Sequence, residues 1–236
     1  MIILKYHIIV MIGIIGGMGP FTSLQFYEKI LQRTQIKKEQ DHIPIVIFSD
    51  PTIPDRTTAL LTNNIEPVSK KLISICKKAE KIKVSHIVII CNTAHYWIPI
   101  LEEHVKTPIL NMISLTCEYI AQKGYKNIGL LSTTGIILSG LYERESKKRD
   151  FNLIKPNFHD STILMKIINE TKSGIYNTIN NQIVRGIISK LKTKGVEVII
   201  LGCTELPLLI KEKSDFFINP VDIMVDKIIE LHNEKK

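Results

Sequence analysis

Three apolar runs that end in turns recur in the same order along the chain, and this recurrence limits the fold more than any other feature. Gly13-Ile-Ile-Gly-Gly-Met-Gly19 is echoed 116 residues later by Gly129-Leu-Leu-Ser-Thr-Thr-Gly135, a strand-like run entering a Gly/Ser/Thr turn. Val88-Ile-Ile-Cys91 is echoed by Ile199-Ile-Leu-Gly-Cys203, with the cysteines 112 residues apart and each followed by threonine within two positions. Pro108-Ile-Leu-Asn111 is echoed by Phe216-Phe-Ile-Asn219, with the asparagines 108 apart. One such match is ordinary α/β grammar. Three in order, at slowly drifting offsets, point to two related halves whose strand ends face a shared cleft.

The rest of the chain fits that frame. Short β-branched runs alternate with longer segments of helical period, the pattern of α/β proteins with parallel sheets. Strands are expected at Ile8–Ile15, Ile45–Phe48, Ile87–Ile90, Ile109–Asn111, Ile128–Leu131, Val198–Leu201 and Phe216–Ile218. The clearest helices are Thr22–Gln35, Leu60–Lys81, Ser114–Lys123, Ile175–Lys194 and Asp222–Glu234. The expected architecture is two pseudo-symmetric three-layer α/β domains with parallel sheets, residues 1–112 plus 220–236 and residues 113–219, with the site in the cleft between them. The chain crosses over near Pro108–Ser114 and returns near Asn219–Asp222, which would lay the last helix on the first domain.

Composition excludes several classes. With 236 residues, 44% hydrophobic and 23% charged, the chain can bury a core without staples and is neither disordered nor collagenous. Lys5, Tyr6 and His7 interrupt the apolar N-terminus, so no run is long enough for a transmembrane helix, and a signal-peptide pattern is missing. A cytoplasmic location is expected. Either Met1 to Val10 extends the first strand or translation starts at Met11. The net charge of +8 is spread over short groups such as Lys77-Lys78 and Lys147-Lys148-Arg149, without an aromatic-interleaved stripe, which disfavours nucleic acid as a partner. Cys76, Cys91, Cys117 and Cys203 show no C-x-x-C spacing, so disulfides are not expected and some thiols are available for chemistry.

In open α/β sheets ligands bind beyond the carboxyl ends of the strands, which is where Cys91 and Cys203 fall. A free buried cysteine is usually structural. Two at equivalent places of two halves are far less easily dismissed. Facing thiols suit one task in particular: one takes a proton from a carbon as thiolate while the other delivers a proton to the opposite face, inverting the centre. Near-attack geometry would hold the sulfurs roughly 7 Å apart around substrate. Thr93 and Thr204 are placed to cap the following helices. Cys76 and Cys117 read as structural, Trp97 as packing, Glu205 as a helix-start carboxylate, and His95 as a residue one helical turn from Cys91 with no further metal ligand to join it.

These residues resemble the cofactor-independent aspartate/glutamate racemase family, and more closely its aspartate racemase branch. Ile14-Ile-Gly-Gly-Met-Gly-Pro20, Asp55-Arg56-Thr57, Cys91-Asn-Thr-Ala-His95 and Gly202-Cys-Thr-Glu-Leu-Pro207 are similar to that branch's markers in order and spacing. Glutamate racemases resemble the chain less, since they carry Asp-Ser-Gly near the first strand and Gly-Cys-Thr-His at the second cysteine. The resemblance implies that Cys91 and Cys203 are the base/acid pair. It also implies that Asn92, Thr93, Thr133 and Thr204 hold the α-carboxylate, that Arg56 grips a carboxylate, that Lys172 contacts substrate carboxylate, and that Met18 approaches the ligand from the first glycine turn. No metal and no cofactor are implied, and no lysine can be assigned as a pyridoxal phosphate partner. The expected function is amino-acid racemisation, aspartate first, by a homodimer. Alternatives are a glutamate or broad-specificity racemase, a single-cysteine lyase or isomerase of the same fold, or a non-catalytic dicarboxylate binder.

Overall fold

Apolar runs too short for helices and rich in β-branched residues become the centres of two parallel sheets. A computed structural model describes residues 10–175, 177–210, 212 and 214–234. Its first half comprises β1 (Ile12–Gly16), α1 (Pro20–Arg33), β2 (Ile45–Ser49), α2 (Arg56–Leu61), α3 (Glu66–Lys81), β3 (His86–Ile89), a 3-10 turn (Thr93–Trp97), α4 (Ile98–Glu102) and β4 (Ile109–Leu110). There follow α5 (Met112–Lys123), β5 (Asn127–Ser132), α6 (Thr134–Ser139), α7 (Leu141–Lys148), β6 (Asn152–Ile154), α8 (Phe158–Lys172) and α9 (Thr178–Lys192). The chain ends with β7 (Val198–Gly202), α10 (Leu206–Leu209), β8 (Phe217–Ile218) and α11 (Pro220–Asn233). No helix among the described residues is long and apolar enough to cross a membrane.

The two sheets repeat one topology. Their orders are β2-β1-β3-β4 and β6-β5-β7-β8, every pairing parallel. The sequence echo therefore matches β1 with β5, β3 with β7 and β4 with β8. Both faces of each sheet are covered, which explains why the central strands are apolar throughout. In the first half Ile15, Ile87 and Ile89 pack under α3 and α4, whereas Ile12, Ile14 and Val88 pack with Phe26 and Ile30 of α1. In the second, Leu131, Ile199 and Leu201 meet α8 and α9, and Ile128, Leu130 and Ile200 meet α5 and Tyr142 of α7.

A reciprocal exchange joins the halves. After β4 the chain leaves the first sheet, and Ile113, Cys117 and Ile120 of α5 fill the core of the second. After β8 it leaves the second sheet, and Val221, Met224, Val225 and Ile228 of α11 fill the core of the first. Both helices start alike. Asn111 accepts from the Ile113 and Ser114 N–H groups, and Asn219 accepts from Val221, so the echoed asparagines are equivalent N-caps.

Several elements differ from the sequence expectation. An eighth strand, β6, forms the edge of the second sheet, the place that β2 takes in the first; with three residues and one β-branched side chain it carries almost no periodic signal. Helix α8 is a further element beyond the helices expected from sequence, and Asn157 caps it by accepting from the Asp160 N–H. The segment Leu60–Lys81 is two helices, because Asn63 takes a left-handed conformation (φ 53°) and Pro67 favours a fresh start in the first turn of α3. The expected strand at Ile8–Ile15 is Ile12–Gly16; Ile8 and Ile9 lie outside the described residues, as does nearly all of the segment on which the choice between Met1 and Met11 turns. Helix α9 begins at Thr178, capped by Asn177, rather than at Ile175.

Candidate active site

Beyond the carboxyl ends of both sheets lies one cavity, and all nine residues singled out from the sequence line it: Met18, Arg56, Cys91, Asn92, Thr93, Thr133, Lys172, Cys203 and Thr204. Asp55, Thr57, Gly202 and Glu205 line it too. Its volume is about 10 Å³, room for roughly one water molecule.

The glycine turn after β1 shapes one wall. Gly17 has φ +85°, and a Cβ there would lie 2.4 Å from the Asp50 backbone nitrogen, so only glycine lets the turn close against the end of β2. Met18 is thereby carried into the cavity and buried. Pro20 then occupies the first helical position of α1, where its missing N–H is harmless.

Close contacts between the halves surround the cavity. The Thr93 and Thr133 hydroxyls hydrogen-bond at 3.0 Å, and Tyr142 Oη donates to Asn92 Oδ1 at 2.8 Å. Gly135 of α6 sits against the first half so tightly that a Cβ would lie 2.8 Å from Thr57 Oγ1 and from Thr93 Cγ2. Lys172, at the end of α8, pairs with Asp55 at 3.7 Å. Burial alone would lower the Lys172 pKa, but the acidic groups that face it, Cys203, Glu205, Cys91 and Asp55, outweigh burial and raise the value. Burial likewise works against ionisation of Asp55, and the Thr58 N–H with Lys172 and Arg56 overcomes it, so the carboxyl is held below its usual value.

Two side chains present unused donors. Asn92 Nδ2 is buried without a hydrogen-bond partner among the described residues, since its Oδ1 is turned toward Tyr142. Arg56 is buried, and its Nη1 is anchored by the Ile53 and Pro54 carbonyls at 3.1 and 3.0 Å, while Nε has no partner among the described residues. Buried donors of this kind are costly unless something fills the site. Tyr142→Phe would leave Asn92 Oδ1 without its donor; a loss of about 1–3 kcal/mol is expected in denaturant unfolding.

Thr93 and Thr204 are not the helix caps expected from sequence, whereas Thr133, not expected to cap, accepts through Oγ1 from the Ile136 N–H at 3.2 Å. Thr93 turns to Thr133 instead, and Thr204 Oγ1 donates to Glu205 Oε2 at 3.1 Å. The elements after both cysteines are only about one turn long, and both hydroxyls are engaged by other side chains. Glu205 is likewise no cap. Although it stands at the N-cap position of α10, its side chain makes no capping bond and accepts from Cys203 Sγ at 2.9 Å. Cys203 is buried, and burial and the Glu205 charge push its thiol well above its ordinary value, with Lys172 opposing.

His95 secures the other cysteine's backbone. Nε2 accepts from the Met112 N–H at 3.0 Å, so the proton sits on Nδ1, which donates to the Cys91 carbonyl at 2.9 Å. Burial, partly offset by the Cys91 carbonyl, lowers its pKa to about 4. The folded state therefore favours the neutral ring. That contribution is complete above the unfolded value near 6.5 and is lost as pH falls toward 4, a change of about 3 kcal/mol. In denaturant unfolding, His95→Gln should flatten the stability profile across that window. With both nitrogens engaged, His95 is not a free ligand, and no cluster of three metal-ligating side chains occurs among the described residues.

Trp97 is a packing residue whose Nε1 donates to the Ile65 carbonyl. Cys76 and Cys117 are fully buried, away from the cavity. Asp55 and Glu205 also line the cavity, although the sequence offers Asp55 only as part of the Asp55-Arg56-Thr57 marker and Glu205 only as a helix-start carboxylate. Their positions, beside Arg56 and two residues after Cys203, were the available signal.

The family model for Asp/Glu/Hydantoin racemases matches residues 15–228. The chain belongs to that family. Within the racemase fold it is similar to the aspartate racemase of Picrophilus torridus, with 31% identity, a TM-score of 0.82 and 94% of each chain covered. It is also similar to the broad-specificity amino-acid racemase RacX of Bacillus subtilis, 25% identical over 202 residues, covering 83% of this chain and 86% of the relative. The glutamate racemase RacE1 of Bacillus anthracis shares the fold, with a TM-score of 0.68 at 19% identity over 96% of this chain and 82% of that one. Family membership makes the chain an isomerase of the cofactor-independent racemase type.

Proposed function

We propose that the protein interconverts L- and D-aspartate, with Cys91 and Cys203 as the two acid/base groups and no cofactor. The observation that carries this is the convergence of two thiols, at equivalent strand ends of two halves, on one cavity that also presents the unused donors of Arg56 and Asn92. One thiolate takes the α-proton: the Cα–H bond breaks, an S–H bond forms, and the electron pair moves into the α-carboxylate. The opposite thiol then gives its proton to the other face. Asn92, Thr93, Thr133 and Thr204 stabilise the charge that accumulates on the α-carboxylate. Arg56 receives the side-chain carboxylate along its free Nε edge, which favours a dicarboxylic amino acid. Lys172 supplies positive charge near both thiols, and Met18 closes the pocket beside the ligand.

A cavity of about 10 Å³ does not hold an amino acid, so the halves part to admit one. The contacts that yield are Thr93 to Thr133, Tyr142 to Asn92 and Lys172 to Asp55. The moving bodies are residues 1–112 with 220–236 and residues 113–219, acting within a homodimer. The likeness to RacX favours a second reading, a broader amino-acid range. Chiral chromatography after incubation with L-aspartate, L-glutamate and neutral L-amino acids tests both. Inversion of aspartate above all others supports the first, equal turnover of neutral amino acids the second, and no inversion of any contradicts both.

A further inference from the structure

We propose that Tyr142 is a positioning residue of the active site: from the second half it sets which end of the Asn92 amide is offered to substrate, and so completes a carboxylate donor each time the halves close. This rests on the two-thiol reaction above and adds a residue to it. Tyr142 does not line the cavity and is fully buried, its ring set in the second half's core with Ile113, Cys117, Ile120 and Ile136. Its hydroxyl nonetheless reaches the first half, where it donates to Asn92 Oδ1 at 2.8 Å. An asparagine amide accepts at one end and donates at the other, and a half-turn of the side chain exchanges the two. The phenol O–H makes the choice. With Oδ1 engaged, Nδ2 is left buried and without a partner among the described residues, on a side chain that lines the cavity.

The orientation matters because of where charge grows. When the α-proton leaves, negative charge accumulates on the α-carboxylate, and an N–H already aimed at it stabilises that charge without having to turn first. Thr116 is the phenol's other polar neighbour, and it gives its own proton to the Met112 carbonyl at 2.6 Å. The opposite arrangement would send the phenol's proton to Thr116 and turn Asn92 Nδ2 toward the ring. It would then set an amide oxygen against the growing charge. Burial, joined by Cys117 and opposed by Thr116, raises the Tyr142 pKa well above its ordinary value, so the orienting proton stays in place throughout the range in which thiols ionise. When the halves part to admit substrate, Tyr142 leaves Asn92 and the amide is free to turn. Closing over substrate restores the donor as water is expelled.

The test is a double-mutant cycle on kcat and KM for aspartate, with the wild type, Tyr142→Phe, Asn92→Ala and the double variant. Asn92→Ala removes the donor, so kcat should fall about 10²-fold. Tyr142→Phe keeps the ring and the amide but frees the amide to turn, so kcat should fall about 10-fold with a smaller change in KM. In the double variant no amide is left to orient, and kcat should equal that of Asn92→Ala alone. A double variant that loses the product of the two single effects, or a Tyr142→Phe variant with the kcat of wild type, overturns the proposal, since a purely structural tyrosine would act independently of Asn92. Asn92→Asp covers the case in which loss of the phenol hydroxyl prevents folding. It keeps an oxygen for Tyr142 and lacks the N–H, so it should be at least as impaired as Asn92→Ala; activity near wild type would mean that an oxygen faces substrate and would overturn the proposal. Wild-type protein that racemises nothing overturns the two-thiol reaction itself, and this proposal with it.

Discussion

Cys91→Ala and Cys203→Ala should each lower racemisation by about 10⁴-fold while leaving ligand binding measurable, the upper end of what one positioned acid or base supplies. The magnitude follows from geometry. Each thiol follows a central strand of its own sheet and lines the same cavity, and in the proposed reaction each serves one face of the α-carbon. A variant with one sulfur can take and return a proton on one face only, so exchange continues without inversion. Cys76→Ala and Cys117→Ala are the matched controls. Both thiols sit in apolar cores, and burial pushes each up to about 12, so neither forms a thiolate near neutral pH. Their removal should change stability, by about 1 kcal/mol or more from the void left behind, and leave kcat within a few-fold of wild type. A single-cysteine lyase would keep its reaction in one of the two active-site variants. A binding protein would show no turnover to lose.

Arg56→Ala is expected to have the next largest effect, raising KM for aspartate about 10³-fold. The guanidinium is buried and is set in place by two carbonyls of its own loop, so its free edge is preorganised before substrate arrives. Removing it leaves a substrate carboxylate desolvated and unpaired, which costs far more than losing a surface contact. Arg56→Lys should recover little, because an ammonium cannot span the Ile53 and Pro54 carbonyls and still offer a second parallel donor. Steady-state kinetics with aspartate and alanine separates the possibilities. If Arg56 reads the side-chain carboxylate, the variant loses its preference for aspartate over alanine; an equal loss with both substrates would move Arg56 to the α-carboxylate or to structure alone.

The duplicated sheet and the two strand-end cysteines were legible in local signals, β-branched runs and the turns that end them, whereas cavity residues such as Arg56, Asn92 and Lys172 were reached through the resemblance to the racemase family. What escaped was tertiary in origin. Strand β6 has three residues and owes its existence to pairing with β5, from Asn127 with Asn152 to Gly129 with Ile154. The break between α2 and α3 lies inside an otherwise continuous helical pattern and depends on Asn63 and Pro67. Thr93 and Thr204 look like caps when only their own segments are considered. The Thr93 hydroxyl instead finds Thr133 from the other half, and that of Thr204 finds the side chain of its own neighbour Glu205. Glu205 shows the same limit most clearly. Two positions after Cys203 it reads as a helix-start acid, and only the burial of both side chains makes it a partner for sulfur.

The most direct measurement is to incubate L-aspartate with the wild-type protein in D2O, stop early, and analyse both enantiomers for deuterium at the α-carbon. Two opposed thiols predict D-aspartate carrying solvent deuterium while the remaining L-aspartate keeps its proton, since the proton added comes from the thiol opposite the one that removed it. Deuterium entering L-aspartate without inversion would show a single working base, and no exchange with aspartate or glutamate would contradict the racemase assignment outright.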